Sequence, residues 1–84
     1  MKVEDTNIPG VKVLKLDAYE GARGWFVQVF EKSEMANAGI KDDFIQDAVS
    51  VSTFKHTVRG LHFQNPPYEQ SKLVSCDRGA FFDV

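Results

Sequence analysis

His62 sits in the run Arg59-Gly60-Leu61-His62-Phe63-Gln64, ahead of Pro66-Pro67, Gln70 and Lys72-Leu73-Val74. An imidazole has an unperturbed pKa close to working pH, so it can take up and return a proton. An ammonium such as that of Lys72 can stabilise negative charge developing on an oxygen. A guanidinium, present at Arg23 and Arg59, offers paired donors that match phosphate oxygens. Each of these groups also has a plainer reading. A histidine is often a structural residue bonded to backbone, a lysine is usually a solvated side chain, and an arginine is usually on the surface. The second histidine, His56, falls in an expected turn and is read as solvent-facing.

The elements that must position these groups are mostly strands. The opening segment through Gly10 reads as an extended arm or edge piece, because the residue before Pro9 avoids the helical region. Val11 to Leu16 is a short strand, and Asp17 to Gly24 a loop broken by Gly21 and Gly24. Trp25 to Phe30 is aromatic or β-branched except at Gln28, which predicts a strand. Alternation puts Trp25, Val27 and Val29 on one face and Phe26, Gln28 and Phe30 on the other. Ser33 to Ala38 is the single helical candidate, capped by Ser33 and ended by Gly39. Phe44 to Phe54 is a long extended run and Lys55 to Thr57 a turn.

Arg59 to Gln64 is the strand that carries His62. In a regular strand Arg59 and His62 face opposite ways, and a bulge at Gly60 would re-aim one of them. Asn65 to Tyr68 is a stiff loop. Lys72 to Asp77, a turn at Arg78-Gly79, and Ala80 to Val84 form a hairpin. Strands at this spacing indicate an all-β sandwich or barrel. The apolar run Ala80 to Val84 has no polar tail, so its open edge calls for further chain or a second copy.

Size and composition narrow the function classes. The 84 residues allow one domain at most, with a small core that is marginal unless supported. Cys76 is the one cysteine, so no intrachain disulfide supplies that support; a lone thiol fits a reducing, cytoplasmic setting. No apolar run approaches the roughly 20 residues of a membrane span, and Met1 to Asp5 lacks the order of a signal peptide. The net charge of -2, with acids and bases interspersed, provides no basic stripe for nucleic acid. A hydrophobic share of 43% belongs to a packing chain rather than a disordered one.

The run from Arg59 to Gln64, with Pro66-Pro67, Gln70 and Lys72-Leu73-Val74, resembles the signature of the dTDP-4-dehydrorhamnose 3,5-epimerases. The resemblance extends upstream through Arg23-Gly24-Trp25-Phe26 and through Phe44-Ile45-Gln46-Asp47 with Ser50 and Ser52. It extends downstream through Gly79 to Asp83-Val84. It covers nearly the whole chain in order, and matches the front half of the family's fold. It implies an all-β, partial cupin-type jelly roll of antiparallel sheets with one short helix, an incomplete domain over residues 1 to 84. It also implies an isomerase acting on a dTDP-linked keto-sugar, without cofactor, and dimerisation through exchanged N-terminal strands.

The resemblance assigns roles by position. His62 is the base that removes a proton alpha to the sugar ketone, and Lys72 the cation beside the ketone oxygen. Arg23 and Arg59 hold the diphosphate, and Gln46 and Asp47 bond polar groups of the substrate; Phe26 either stacks on thymine or fills the core, and its pattern alone favours the core. Asp83 has two equal readings, a residue that orients a site group and a strand-edge acid. Two positions depart from the family pattern: Gln28 stands for a glutamate and loses its charge, and Ala48 stands for an asparagine and loses its bond. Neither Tyr19 nor Tyr68 matches the family's tyrosine proton donor, and the aspartate that partners its histidine has no match. An acid–base partner is worth about 10²–10⁴-fold in rate.

Two functional expectations follow. One is an epimerase-like enzyme using His62 and Lys72; the other is a dTDP-sugar-binding or assembly module that keeps the scaffold with catalysis impaired. A metal cupin is a third possibility, but Gln64 occupies the position two after His62, and His56 lies six before it. That leaves one ligand where three or four are needed.

Overall fold

The computed structural model describes residues 1 to 84 and divides into two compact units, residues 1 to 41 and residues 42 to 84. Regular structure is all β apart from one short helix: β1 (Lys2–Asp5), β2 (Lys12–Lys15), β3 (Ala18–Gly21), β4 (Gly24–Val27) and α1 (Lys32–Asn37). Both strand pairs are antiparallel, β1 with β2 and β3 with β4.

The β1–β2 hairpin is set by its turn. Pro9 and Gly10 occupy the centre of Ile8–Val11, Gly10 has φ +84, and the Val11 amide donates to the Ile8 carbonyl at 3.1 Å. Proline followed by a residue of positive φ is the pattern of a type II turn. The Thr6 hydroxyl braces the loop, donating to the Val11 carbonyl at 2.8 Å and accepting from the Ile8 amide at 3.2 Å. Of the two forms expected for the opening segment, an arm or an edge piece, it takes the second, as a paired strand. Register places Val3 opposite Leu14, both half-buried, and Asp5 opposite Lys12. The Lys12 ammonium donates to Asp5 Oδ1 at 2.6 Å, and it holds the Asp5 carboxyl below its ordinary range. Lys15 reaches Glu4 at 2.9 Å. These exposed pairs fix register more than they add stability.

The β3–β4 hairpin corrects a second expectation, since much of the segment read as a loop is strand. Gly21 and Gly24 pair across the ladder and bracket a two-residue turn, Ala22-Arg23. Glycine marked the chain reversal here but did not end the strands. β4 stops at Val27, so Gln28 to Phe30 lie beyond the ladder.

Helix α1 starts one residue before Ser33, the cap expected from the sequence. Its N-cap is Glu31, whose carboxylate accepts from the Ser33 hydroxyl at 2.6 Å, the Glu34 amide at 2.7 Å and the Ser33 amide at 3.1 Å. These donors hold the Glu31 carboxyl below its ordinary range, the Ser33 hydroxyl contributing most. The C-terminus closes as expected at Gly39, with φ +84. Ile40 donates to the Met35 carbonyl at 2.9 Å and Gly39 to the Ala36 carbonyl at 3.0 Å, a Schellman closure. The N-terminal ammonium bonds Asp17 at 2.5 Å and lies 3.5 Å from Glu34, joining β1 to the helix. Met35, at 3% exposure, is the one buried residue and marks the small core.

Residues 42 to 84 hold turns but no ladder. Tyr68 donates to the Asn65 carbonyl at 2.9 Å across Pro66-Pro67, as the stiff loop predicts. The Lys55-His56 turn is present, with His56 at φ +63 and the Thr57 hydroxyl bonded to the Phe54 carbonyl at 2.6 Å. The bend at Asp77 to Gly79 is present too. The strands expected over Phe44–Phe54, Arg59–Gln64, Lys72–Asp77 and Ala80–Val84 are not formed: these segments enter no ladder. A strand exists only through its neighbour, because its amides and carbonyls point sideways.

Candidate functional site

The residues singled out for chemistry divide between the two units. Arg23, Phe26 and Gln28 belong to the first; Gln46, Asp47, Arg59, His62 and Lys72 belong to the second.

In the first unit the β3–β4 hairpin does the positioning. Arg23 stands in its two-residue turn and makes no hydrogen bond or ion pair. Phe26 lies in β4 directly opposite Tyr19, and both rings are exposed. Gln28 follows the last ladder position by one residue, so backbone pairing does not fix its direction.

In the second unit His62 is exposed and lies close to Gly60. With φ +102, Gly60 leaves the regular strand conformation, so Arg59 and His62 no longer alternate as neighbours in a ladder would. The departure is not a bulge, since residues 59 to 64 pair with no strand. The His62 ring folds back toward Gly60: a Cβ built there would lie 3.4 Å from His62 Nδ1. Arg59 turns to its own unit, donating from Nη2 to the Val51 carbonyl at 3.3 Å. Lys72 is exposed and forms no ion pair, and no hydrogen bond joins it to His62.

Gln46 and Gln70 meet at one open concavity of about 240 Å³, lined also by Asp42, Asp43, Glu69 and Ser71. The Ser71 hydroxyl donates to Asp42 Oδ1 at 2.6 Å, which closes one wall. Three carboxylates on its lining make the concavity unfavourable for a phosphate and better suited to hydroxyl or amide groups. Asp47, Arg59, His62 and Lys72 do not line it. The opposition of Tyr19 to Phe26 was missed from sequence, because Gly21 and Gly24 concealed the strand that carries Tyr19; the alternation Ala18-Tyr19-Glu20 was the available signal.

No helix is long and apolar enough to cross a membrane. Comparison with known proteins gives one consistent picture. The family model described as dTDP-4-dehydrorhamnose 3,5-epimerase matches residues 5 to 84. Similar curated relatives, each named dTDP-4-dehydrorhamnose 3,5-epimerase, include proteins of Sinorhizobium fredii (strain NBRC 101917 / NGR234), Shigella flexneri and Escherichia coli (strain K12). They are 40%, 42% and 41% identical across the whole of this chain. The chain spans less than half their length, 43%, 46% and 45% respectively. No solved structure matches.

Proposed function

We infer from the family to which this chain belongs, the dTDP-4-dehydrorhamnose 3,5-epimerases, that it serves dTDP-rhamnose biosynthesis by proton abstraction beside a sugar ketone. The observation that carries this reading is the family match over residues 5 to 84, which includes the Arg59–Gln64 run and Lys72. The ligand is a dTDP-linked keto-sugar. His62 takes the proton from the carbon alpha to the ketone, and the bonding pair moves into an enolate. Lys72 faces the enolate oxygen and offsets its charge. A proton returned to the opposite face inverts the carbon. Neither Tyr19 nor Tyr68 matches the family's acid, so that proton comes from solvent or from a residue outside this chain.

Arg23 and Arg59 hold the diphosphate, Phe26 stacks on the base, and Gln28, Gln46 and Asp47 bond polar groups. Arg59 must exchange its bond to Val51 for phosphate, an exchange that favours a charge-assisted acceptor. The domain is an incomplete cupin-type jelly roll, working in the cytoplasm as a homodimer or larger homo-oligomer.

The test is solvent exchange. The chain is incubated in D2O with the dTDP-4-keto-6-deoxy sugar, and deuterium at C3 or C5 is read by mass spectrometry. Incorporation is expected for the wild type and absent for His62→Ala. No incorporation at high protein concentration overturns the catalytic reading. A second reading, a dTDP-sugar-binding or assembly module, is favoured by the exposure of His62 and the lack of any bond between it and Lys72. Calorimetric binding of dTDP without exchange would select it.

A further inference from the structure

We propose that Asp42 and Ser71 are positioning residues for the sugar end of the ligand, their bond holding the segment of Gln46 against the segment of Gln70 and Lys72. The proposal rests on the reading of the ligand as a dTDP-linked keto-sugar and adds two residues to the support of that site.

Residues 42 to 84 enter no ladder, so strand pairing does not fix one segment against another. The side-chain bonds of Thr57 and Arg59 reach carbonyls three and eight residues away, and that of Ser75 to Asp77 spans two. These shape local turns. The Ser71 hydroxyl, by contrast, donates to Asp42 Oδ1 at 2.6 Å across 29 residues. A bond of that span ties two segments together, and a hydroxyl on a carboxylate at this distance is charge-assisted.

The two segments are those that carry the substrate residues. Asp42 stands at the head of the run that leads to Gln46, and Ser71 stands between Gln70 and Lys72. With these points tied, Gln46 and Gln70 line one concavity of about 240 Å³. Their amides supply donors and acceptors that suit the hydroxyls of a sugar. Lys72 lies outside that lining, but its Cα is only about 3.8 Å from that of Ser71. A lysine stem is long and flexible, so its ammonium is placed only as well as its backbone is. On a segment that enters no ladder, the bond one residue away is what restrains that backbone.

The bond is exposed, so water competes with it in the free chain. A sugar lying over the concavity excludes that water and strengthens the bond. The brace therefore acts chiefly in the bound state, which separates it from a general support of the fold.

The experiment measures deuterium incorporation into the dTDP-4-keto-6-deoxy sugar by the intact chain in D2O, with dTDP affinity read by calorimetry alongside. Ser71→Ala should lower incorporation by roughly 2- to 10-fold, the loss of one hydrogen bond. Ser71→Thr keeps the hydroxyl and should restore it. Asp42→Ala should match Ser71→Ala, and the double variant should lose no more than either, because the two act through one bond. Affinity for dTDP, which lacks the sugar, should stay within about twofold in every variant. Ser75→Ala, which removes a local bond in the same unit, should leave both readouts unchanged. If Ser71→Ala incorporates deuterium like the wild type, or if the two single losses multiply in the double variant, the brace is wrong while the keto-sugar reading stands. A fall in dTDP affinity in step with incorporation would also overturn it, by showing a support of the fold rather than of the sugar end. If the wild type itself incorporates none, the keto-sugar reading fails and the brace goes with it.

Discussion

His62 owes its direction to a residue that has no side chain. Gly60 holds φ +102, and a Cβ there would find space, its nearest contacts being at ordinary van der Waals range. The obstacle to substitution is therefore the backbone, where a non-glycine residue carries about 1–3 kcal/mol of strain. Gly60→Ala is expected to relax toward an extended φ and swing the imidazole away from its place. Deuterium incorporation should then fall well below the wild-type rate with His62 intact, while dTDP affinity is retained. Full incorporation in Gly60→Ala would show that the ring's place is set by something else. The sequence marked Gly60 as the point where the backbone between Arg59 and His62 could depart from a regular strand, and its φ of +102 is such a departure, although no ladder forms around it. The opposition of Tyr19 to Phe26 was not legible, since the strand that carries Tyr19 was hidden by the glycines that flank the turn.

At the scale of elements, α1 depends on one carboxylate. Glu31 receives three donors from the first turn, and its folded pKa is lowered accordingly. A lowered carboxyl pKa contributes stability that is complete above the unfolded carboxylate pKa and is lost as pH falls through the folded value. Protection of the Ser33 and Glu34 amides against hydrogen exchange should therefore drop on acidification through the carboxylate range. Glu31→Ala should show the same loss at neutral pH, and unchanged protection in that variant would dismiss the cap. The helix itself was readable to within a residue from Gly39 and the polar start. The cap was not, because glutamate is absent from the usual N-cap set and Ser33 belongs to it. The β1–β2 turn escaped for a related reason. Ile8-Pro9 was read for its extended bias, while the Pro9-Gly10 pair was the stronger signal of a reversal.

At the scale of the molecule, two halves of similar length behave differently. Residues 1 to 41 satisfy their backbone locally, through two hairpins and a helix whose partners are close in sequence. Residues 42 to 84 carry strand-like sequence, yet Ile45 is 88% exposed and Phe63 86% exposed. Alternating apolar residues state a capacity to pair and do not name the partner, so the strands expected there are not formed. An apolar surface of this extent is seldom left to water. The chain is expected to elute as a dimer or larger species in size-exclusion chromatography with light scattering, and a stable monomer at micromolar concentration would contradict this.

The bend at Asp77 to Gly79 has one more use. Beside it the exposed thiol of Cys76 is the one cysteine of the chain, and Trp25 is its one indole. The first lies in residues 42 to 84 and the second in residues 1 to 41. A maleimide dye on the unaltered protein would therefore make a donor–acceptor pair with the tryptophan. Energy transfer within that pair would report the distance between these two positions in solution, with no mutation to the chain.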